Sequence, residues 1–396
     1  MKPELLAPVQ DFVSLESAIQ AKADAVYFGI KGLNMRAGAK NFELNDLKQI
    51  ITLCHKNKVK AYLAINTIIY DNELNKIKQV LKKAKKEKIN AIIAWDFSVI
   101  NEANKLNLPI HISTQASISN FEAIKTLKSK YKNIQRVILA RELSLPQIKS
   151  IIQKLKKTKI KVDIETFIHG AMCVSISGRC FLSQEIFNKS ANRGECIQPC
   201  RRKYLIKDVE ENHEYELGED YILSPNDLCT IEILDKLVKA GIKSFKIEGR
   251  NRSPEYVKTV TEVYREVLDK KYNKNNLLKK LKTVYHRGFS TGFYLGKPVN
   301  EWTKAYGSKA TKKKVYVGVV KHFYTNINVA EIKIETKGIK INDNIMFQGN
   351  KTGVKEQKVI SMQINKKEVK QVKKGQSFGL KTKSKVREND KVYLIL

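Results

Sequence analysis

The chain has 396 residues, with 74 Lys plus Arg against 40 Asp plus Glu for a formal charge of +34, and 42% of its residues are hydrophobic. Apolar residues spread along the whole length exclude a largely disordered chain, and the length predicts two or three domains at a rough ~150 residues each, or one α/β barrel of ~250 residues with an appendage. The longest apolar runs, such as Ala91-Ile92-Ile93-Ala94-Trp95, fall far short of the roughly 20 residues of a transmembrane helix, and Met1-Lys2-Pro3-Glu4 lacks the basic cluster and apolar segment of a signal peptide, so a cytoplasmic protein without membrane contact is expected.

Short strand-like runs alternate with amphipathic stretches from the start. Strands are predicted at Glu4–Ala7, Ala25–Phe28, Lys60–Ile65, Ala91–Ala94, Ile110–Ser113, Arg136–Leu139, Val162–Phe167 and Ser244–Ile247. Most are near-continuous apolar runs, as a parallel sheet covered on both faces requires. Between them, Leu44, Leu47, Ile50 and Ile51, then Leu74, Ile77, Val80 and Leu81, then Leu145, Ile148, Ile151, Ile152 and Leu155 fall on single helical faces. Eight such alternations predict an α/β fold, a (β/α)8 TIM-like barrel over residues 1–300, with an open doubly wound sheet as the alternative. No Gly-x-Gly-x-x-Gly follows the first strand, which speaks against a dinucleotide-binding sheet. Residues 170–229 interrupt the alternation with a Cys-rich insertion. It leaves the strand ending at Phe167 and is expected at the C-terminal face of the barrel, where active sites of this architecture lie. Over 312–396, β-branched runs such as Val315–Val320 and Val329–Ile334 alternate with Gly and Asn turns and predict a small C-terminal β-barrel domain.

Positive charge is unevenly distributed. Residues 311–396 hold 20 basic and 7 acidic residues, a net +13, which is about twice the charge density of the preceding 310. A solvated lysine surface is the plain explanation. A basic appendage beside a compact core is also what a phosphate backbone attracts, so a nucleic acid is an expected partner.

Five of the six cysteines, Cys173, Cys180, Cys196, Cys200 and Cys229, crowd into 57 positions with the spacing C-x6-C-x15-C-x3-C-x28-C. In a reducing compartment such crowding points to metal rather than to disulfides. Four thiolates suit zinc or an iron-sulfur cluster; zinc usually uses short C-x2 to C-x4 pairs, and only Cys196/Cys200 has that form, so the cluster is favoured and zinc stays the alternative. No C-x3-C-x2-C run is present, which argues against radical-SAM chemistry of the usual kind. Cys54 shares a helical face with Leu47 and Ile50 and is expected to be ordinary packing.

The stretch Glu165-Thr166-Phe167-Ile168-His169-Gly170-Ala171-Met172-Cys173, running on through Gly178-Arg179-Cys180-Phe181, resembles the defining motif of the peptidase U-32, or collagenase-like protease, family. Arg193-Gly194-Glu195-Cys196, Ser224-Pro225-Asn226-Asp227-Leu228-Cys229 and Lys246-Ile247-Glu248-Gly249-Arg250 are similar to further stretches of it, so the resemblance runs from Pro3 to about Gly296. It implies [4Fe-4S] ligation by Cys173, Cys180, Cys196 and Cys229, with Cys200 as the alternative fourth ligand. It also implies several possible activities: 5-hydroxylation of a tRNA wobble uridine with prephenate as a co-substrate, hydroxylation of a ribosomal RNA cytidine, ubiquinone hydroxylation, or peptide hydrolysis. The residues themselves speak against the last, because neither His-Glu-x-x-His nor Gly-x-Ser-x-Gly occurs and a thiolate committed to metal is no free nucleophile. A non-catalytic RNA-binding protein with structural zinc is the bland rival.

Other polar residues at predicted strand ends are candidates for the site. Glu165 and His169 flank the insertion, where they could orient ligands or move protons; a structural hydrogen bond is the plain alternative. Glu248 and Arg250 end the last strand, where an Arg can hold a substrate carboxylate, or the two can form a buried ion pair with no substrate role. Asn66 and Gln115 are expected to line the pocket, and Arg201 and Arg202, with Lys203, to meet phosphates or an anionic substrate unless they are simply solvated. The expected function is tRNA 5-hydroxylation by an iron-sulfur enzyme.

Overall fold

The computed structural model describes residues 2–396 except 203, 205, 208, 212–213, 216–222, 271–273, 299–300 and 306. Its first half is built on strands β1 (Glu4–Pro8), β2 (Ala25–Gly29), β3 (Lys60–Ala64), β4 (Ala91–Ala94), β5 (Ile110–Ile112), β6 (Ile134–Ile138) and β7 (Asp163–Gly170), followed by a short β8 (Asp227–Cys229) and by β9 (Ser244–Ile247). β1 to β7 pair in parallel with their successors, and β9 pairs in parallel with both β7 and β1, closing an eight-stranded parallel barrel. The eight predicted strands are these eight. β2 and β4 are buried along their whole length, because side chains pointing inward fill the barrel and those pointing outward meet the helices.

The covering helices follow the predicted faces. In Leu47–Lys56 the buried residues are Leu47, Ile50, Ile51 and Cys54; in Leu74–Lys86 they are Ile77, Val80, Leu81 and Ala84. Leu145–Lys157 buries Leu145, Ile148, Ile151, Ile152 and Leu155 and starts on a capping box between Ser144 and Gln147, with Pro146 in the first turn. Cys54 is fully buried among apolar residues and burial pushes its thiol up to about 12, so it is packing. Among the described residues no helix is long and apolar enough to cross a membrane.

The insertion leaves β7 at Gly170, whose φ of +105° and whose absent side chain let β9 approach: a Cβ there would lie 2.5 Å from the Glu248 carbonyl oxygen. It then forms short helical turns, Ile176–Gly178, Leu182–Phe187, Ala191–Arg193 and Pro199–Arg201. It returns as β8, which pairs antiparallel with the end of β7, Leu228 opposite Gly170 and Cys229 opposite His169.

Beyond residue 310 a second hydrophobic core gathers Val317, Val320, Ile332, Phe347, Phe378 and Val392. Its strands, Lys314–Tyr324, Val329–Ile334, Asn344–Gly349, Gly353–Lys358, Ser377–Lys381 and Lys391–Ile395, pair antiparallel. The expected small C-terminal β-domain is present as an antiparallel sheet, whose order among the described residues runs from Gly353–Lys358 to Lys367–Glu368.

Candidate functional site

A cavity of about 130 Å³ opens at the C-terminal ends of the barrel strands. Met35 and Arg36 reach it from the loop after β2, Thr114 and Gln115 from beyond β5, Arg141 from beyond β6, and Glu248, Asn251 and Arg252 from beyond β9. The insertion forms the facing wall, and four of its thiols, Cys173, Cys180, Cys196 and Cys200, line the cavity. Cys229 does not. It lies on β8, buried, with its sulfur 3.9 Å from the Tyr264 hydroxyl, and burial pushes its thiol up to about 11.

Two of the lining thiols, Cys196 and Cys200, feel their neighbours. Burial raises Cys196 and Cys200, and negative charge on Cys173 raises both further, while Arg36 acts against the rise at Cys196 and Arg201 at Cys200. Two sulfurs also receive backbone N–H groups, Cys180 from Leu182 at 3.3 Å and Cys196 from Gln198 at 3.4 Å. Amides aimed at sulfur are among the features that set cluster potentials. Among the described residues no three His, Cys, Asp or Glu side chains gather tightly enough to hold a single ion. Four thiols lining one cavity are a donor set of the kind that holds an iron-sulfur cluster or a zinc ion.

Five arginines, Arg36, Arg141, Arg201, Arg252 and Arg287, share the lining with one carboxylate, Glu248. Arg36 donates to Glu248 Oε1 at 2.9 and 3.2 Å, and Arg141 lies 3.6 Å from Oε2 and donates to the Ala171 carbonyl at 2.7 Å. Burial would raise the Glu248 carboxyl, but Arg36, Arg141 and Arg250 together hold it down at about 2. Arg287 pairs with Asp227 on β8 at 3.1 Å. Arg250 is buried beneath the pocket, next to Gly29, and its Nη1 has no hydrogen-bond partner. Burial lowers it to about 10, and Arg36 adds to the fall. Five guanidinium groups against one carboxylate give the lining an excess of positive charge, which favours an anionic ligand.

The other candidates separate by location. Gln115 lines the cavity; Asn66 stands behind it, its Nδ2 donating to Gln115 Oε1 at 3.2 Å while its own Oδ1 accepts from Met35 N at 3.3 Å. Arg201 is anchored inward, donating to Ser224 Oγ at 2.6 Å and to the Met172 and Pro225 carbonyls, so it ties the start of the insertion to its return toward β8. Arg202 stacks over the Phe187 ring at 4.5 Å, outside the cavity lining. Lys203 lies outside the described residues. Glu165, on β7 opposite Ser244, is fully buried inside the barrel, contacting Arg136 at 3.0 Å, Ser244 Oγ at 3.0 Å and Lys246 at 3.2 Å. His169 packs against Tyr256, Tyr264 and Phe289, its Nδ1 3.3 Å from the Tyr264 hydroxyl, and burial lowers it to about 4. Neither Glu165 nor His169 lines the cavity, so the structure gives both an internal, structural placement.

The Peptidase family U32 model matches residues 10–304. The chain belongs to peptidase family U32. A collagenase of Porphyromonas gingivalis is 42% identical over 98% of this chain and 97% of its own length. An uncharacterized protease of Methanocaldococcus jannaschii is 43% identical over 99% and 98%. A tRNA hydroxylation protein of Bacillus subtilis is 32% identical over 88% of this U32 chain and 84% of its own.

Sequence reasoning missed Arg36, Arg141, Arg252 and Arg287. The signal was present: the chain has 12 arginines to 62 lysines. Where lysine supplies nearly all positive charge, an arginine marks a place that needs a planar fork rather than a point charge, and five of the 12 line this cavity.

Proposed function

We propose that this U32 protein is an iron-sulfur enzyme that hydroxylates RNA at a pyrimidine C5, a tRNA wobble uridine being the expected target. The proposed ligands are Cys173, Cys180, Cys196 and Cys200. One observation carries the reading: these four thiols line a single arginine-rich cavity at the barrel mouth, and Cys229 does not. A bound [4Fe-4S] cluster supplies one-electron redox chemistry. The chain's own residues bind and orient. The pocket arginines, with the unpartnered Nη1 of Arg250 beneath them, suit an organic anion such as prephenate as co-substrate. Gln115, its Oε1 already accepting from Asn66, offers its amide N–H groups to a base carbonyl. A base inside a helix cannot reach such a cavity, so the target is single-stranded.

The likeness to a tRNA hydroxylation protein supports this reading. The likeness to a collagenase raises peptide hydrolysis, but no histidine is among the cavity's described lining residues to serve as base to a thiol. The test is anaerobic purification with an absorption spectrum and iron, sulfide and zinc analysis of wild type, Cys200→Ala and Cys229→Ala, followed by nucleoside analysis of tRNA from cells with and without the protein. Brown protein with about four irons per chain, lost in Cys200→Ala and kept in Cys229→Ala, together with a hydroxylated uridine that depends on the protein, is the expected result. Iron lost only in Cys229→Ala moves the fourth ligand to that residue. Colourless protein carrying one zinc rejects the redox mechanism.

A further inference from the structure

Asn251 belongs to two cavities at once. On one side it lines the thiol and arginine pocket, and on the other it lines a groove of about 970 Å³ between the barrel mouth and the C-terminal sheet. The barrel contributes Lys40 and Ser253 to this groove, and the sheet contributes Lys351, Lys385, Lys391 and Tyr393.

The groove is cationic in effect as well as in composition, because its three carboxylates are already engaged. Asp11 caps the helix Phe12–Gln20 and pairs with Lys40 at 3.0 Å. Glu388 pairs with His322 at 2.7 Å, and Asp390 is buried and accepts from Arg387 N at 2.8 Å. Lys351, Lys385 and Lys391 are exposed, and no ion pair or hydrogen bond of their ammonium groups is found among the described residues. A cationic channel that adjoins the thiol and arginine pocket at Asn251 has the form of a track for a single strand whose terminal or looped base enters the pocket.

We propose that this groove holds a single-stranded RNA segment, its phosphates on Lys351, Lys385 and Lys391, and passes the adjacent nucleotide beside Asn251 into the thiol and arginine pocket. The inference rests on the reading of the protein as an RNA-modifying enzyme and names the surface through which RNA would reach the site.

The test is fluorescence anisotropy of a labelled single-stranded oligouridylate against the full chain over a salt series. Wild type is compared with a groove triple, Lys351→Gln, Lys385→Gln and Lys391→Gln. A control triple, Lys78→Gln, Lys82→Gln and Lys85→Gln, removes the same charge from the exposed face of the helix Leu74–Lys86. Thermal melts and iron content verify that both triples keep the fold and the site. Three phosphate contacts on a single strand predict that the groove triple loses affinity about tenfold or more and lowers the salt slope by about 2, while the control changes little. Equal losses in both triples, or no loss in the groove triple, overturn the groove and leave the RNA reading standing. Wild type that does not bind RNA overturns both. Displacement by polyglutamate in preference to RNA overturns the groove in favour of an acidic protein partner.

Discussion

Glu248 is the counter-charge on which the arginines of the pocket depend. Replacing it with Gln leaves Arg36 and Arg141 facing each other and Arg250 without an anion, and breaking one side of a buried ion pair costs about 3–5 kcal/mol. Its pH signature follows from the depressed pKa. The unfolded carboxyl titrates near ~4.3 and the folded one at about 2, so the stabilisation is complete above the first value and is lost as pH falls through the second. Urea unfolding of wild type and Glu248→Gln should show a gap that is constant near neutrality and narrows below about pH 4; a gap independent of pH would mean that Glu248 acts through packing alone. At this scale the sequence was half legible. Cysteine spacing marked the insertion, and strand-end position found Glu248, Arg250 and Gln115. Glu165 and His169 share the same strand and motif as the site yet point into the barrel and its helical coat, because inward or outward direction depends on pleat and bulge: the β7–β9 register shifts at Lys246/Ile247, just where His169 pairs.

The insertion is held down by the loops it covers. Arg193 forms a fork with Glu73 at 2.7 and 2.8 Å, the Asn192 carbonyl accepts from Thr67 Oγ1 at 3.2 Å, and Ser177 N donates to Glu142 at 2.7 Å. Between these points the carbonyl of Gly194, a residue at φ +88°, accepts from Ala37 N at 2.9 Å, and a Cβ on Gly194 would sit 2.4 Å from the Asn34 carbonyl oxygen. Neither atom is the movable end of a side chain. Gly194→Ala therefore combines a left-handed backbone with a clash and should cost on the order of 1–3 kcal/mol, concentrated in the insertion. Limited proteolysis should cut the variant within residues 170–229 while barrel fragments stay intact, and iron retention should fall. A variant that resists the protease as wild type does would show the contact to be dispensable. The barrel strands were legible because a strand buried on both faces is a continuous apolar run. β8 was not: Asp227-Leu228-Cys229 is too short to carry a period, and it is the antiparallel addition beside β7 that sets Cys229 opposite His169, outside the cavity lining.

At the scale of the molecule, two separate cores meet across a polar seam. Gln20 Nε2 donates to the Thr352 carbonyl at 3.0 Å and Lys258 Nζ to the Val354 carbonyl at 2.7 Å. Glu255, near the start of the helix Pro254–Leu268, accepts from Lys314 at 2.9 Å and Gln348 at 2.8 Å. Such seams between domains resemble transient interfaces rather than cores. Glu255 accepts from two side chains of the C-terminal sheet, so Glu255→Ala takes this acceptor from a half-buried ammonium and a buried amide. The expected cost is about 1–3 kcal/mol, felt by the joint and not by either core. Calorimetry should then show the C-terminal transition moving to lower temperature while the barrel transition stays in place. A single transition shifting as one would mean that the two cores unfold as a unit and that the seam is stronger than its polar contacts suggest. Because Asn251 and the lysines of the sheet face each other across the same joint, the variant also tests the two proposals separately: metal held at the barrel mouth should be unchanged, whereas RNA binding that uses both walls of the groove should weaken.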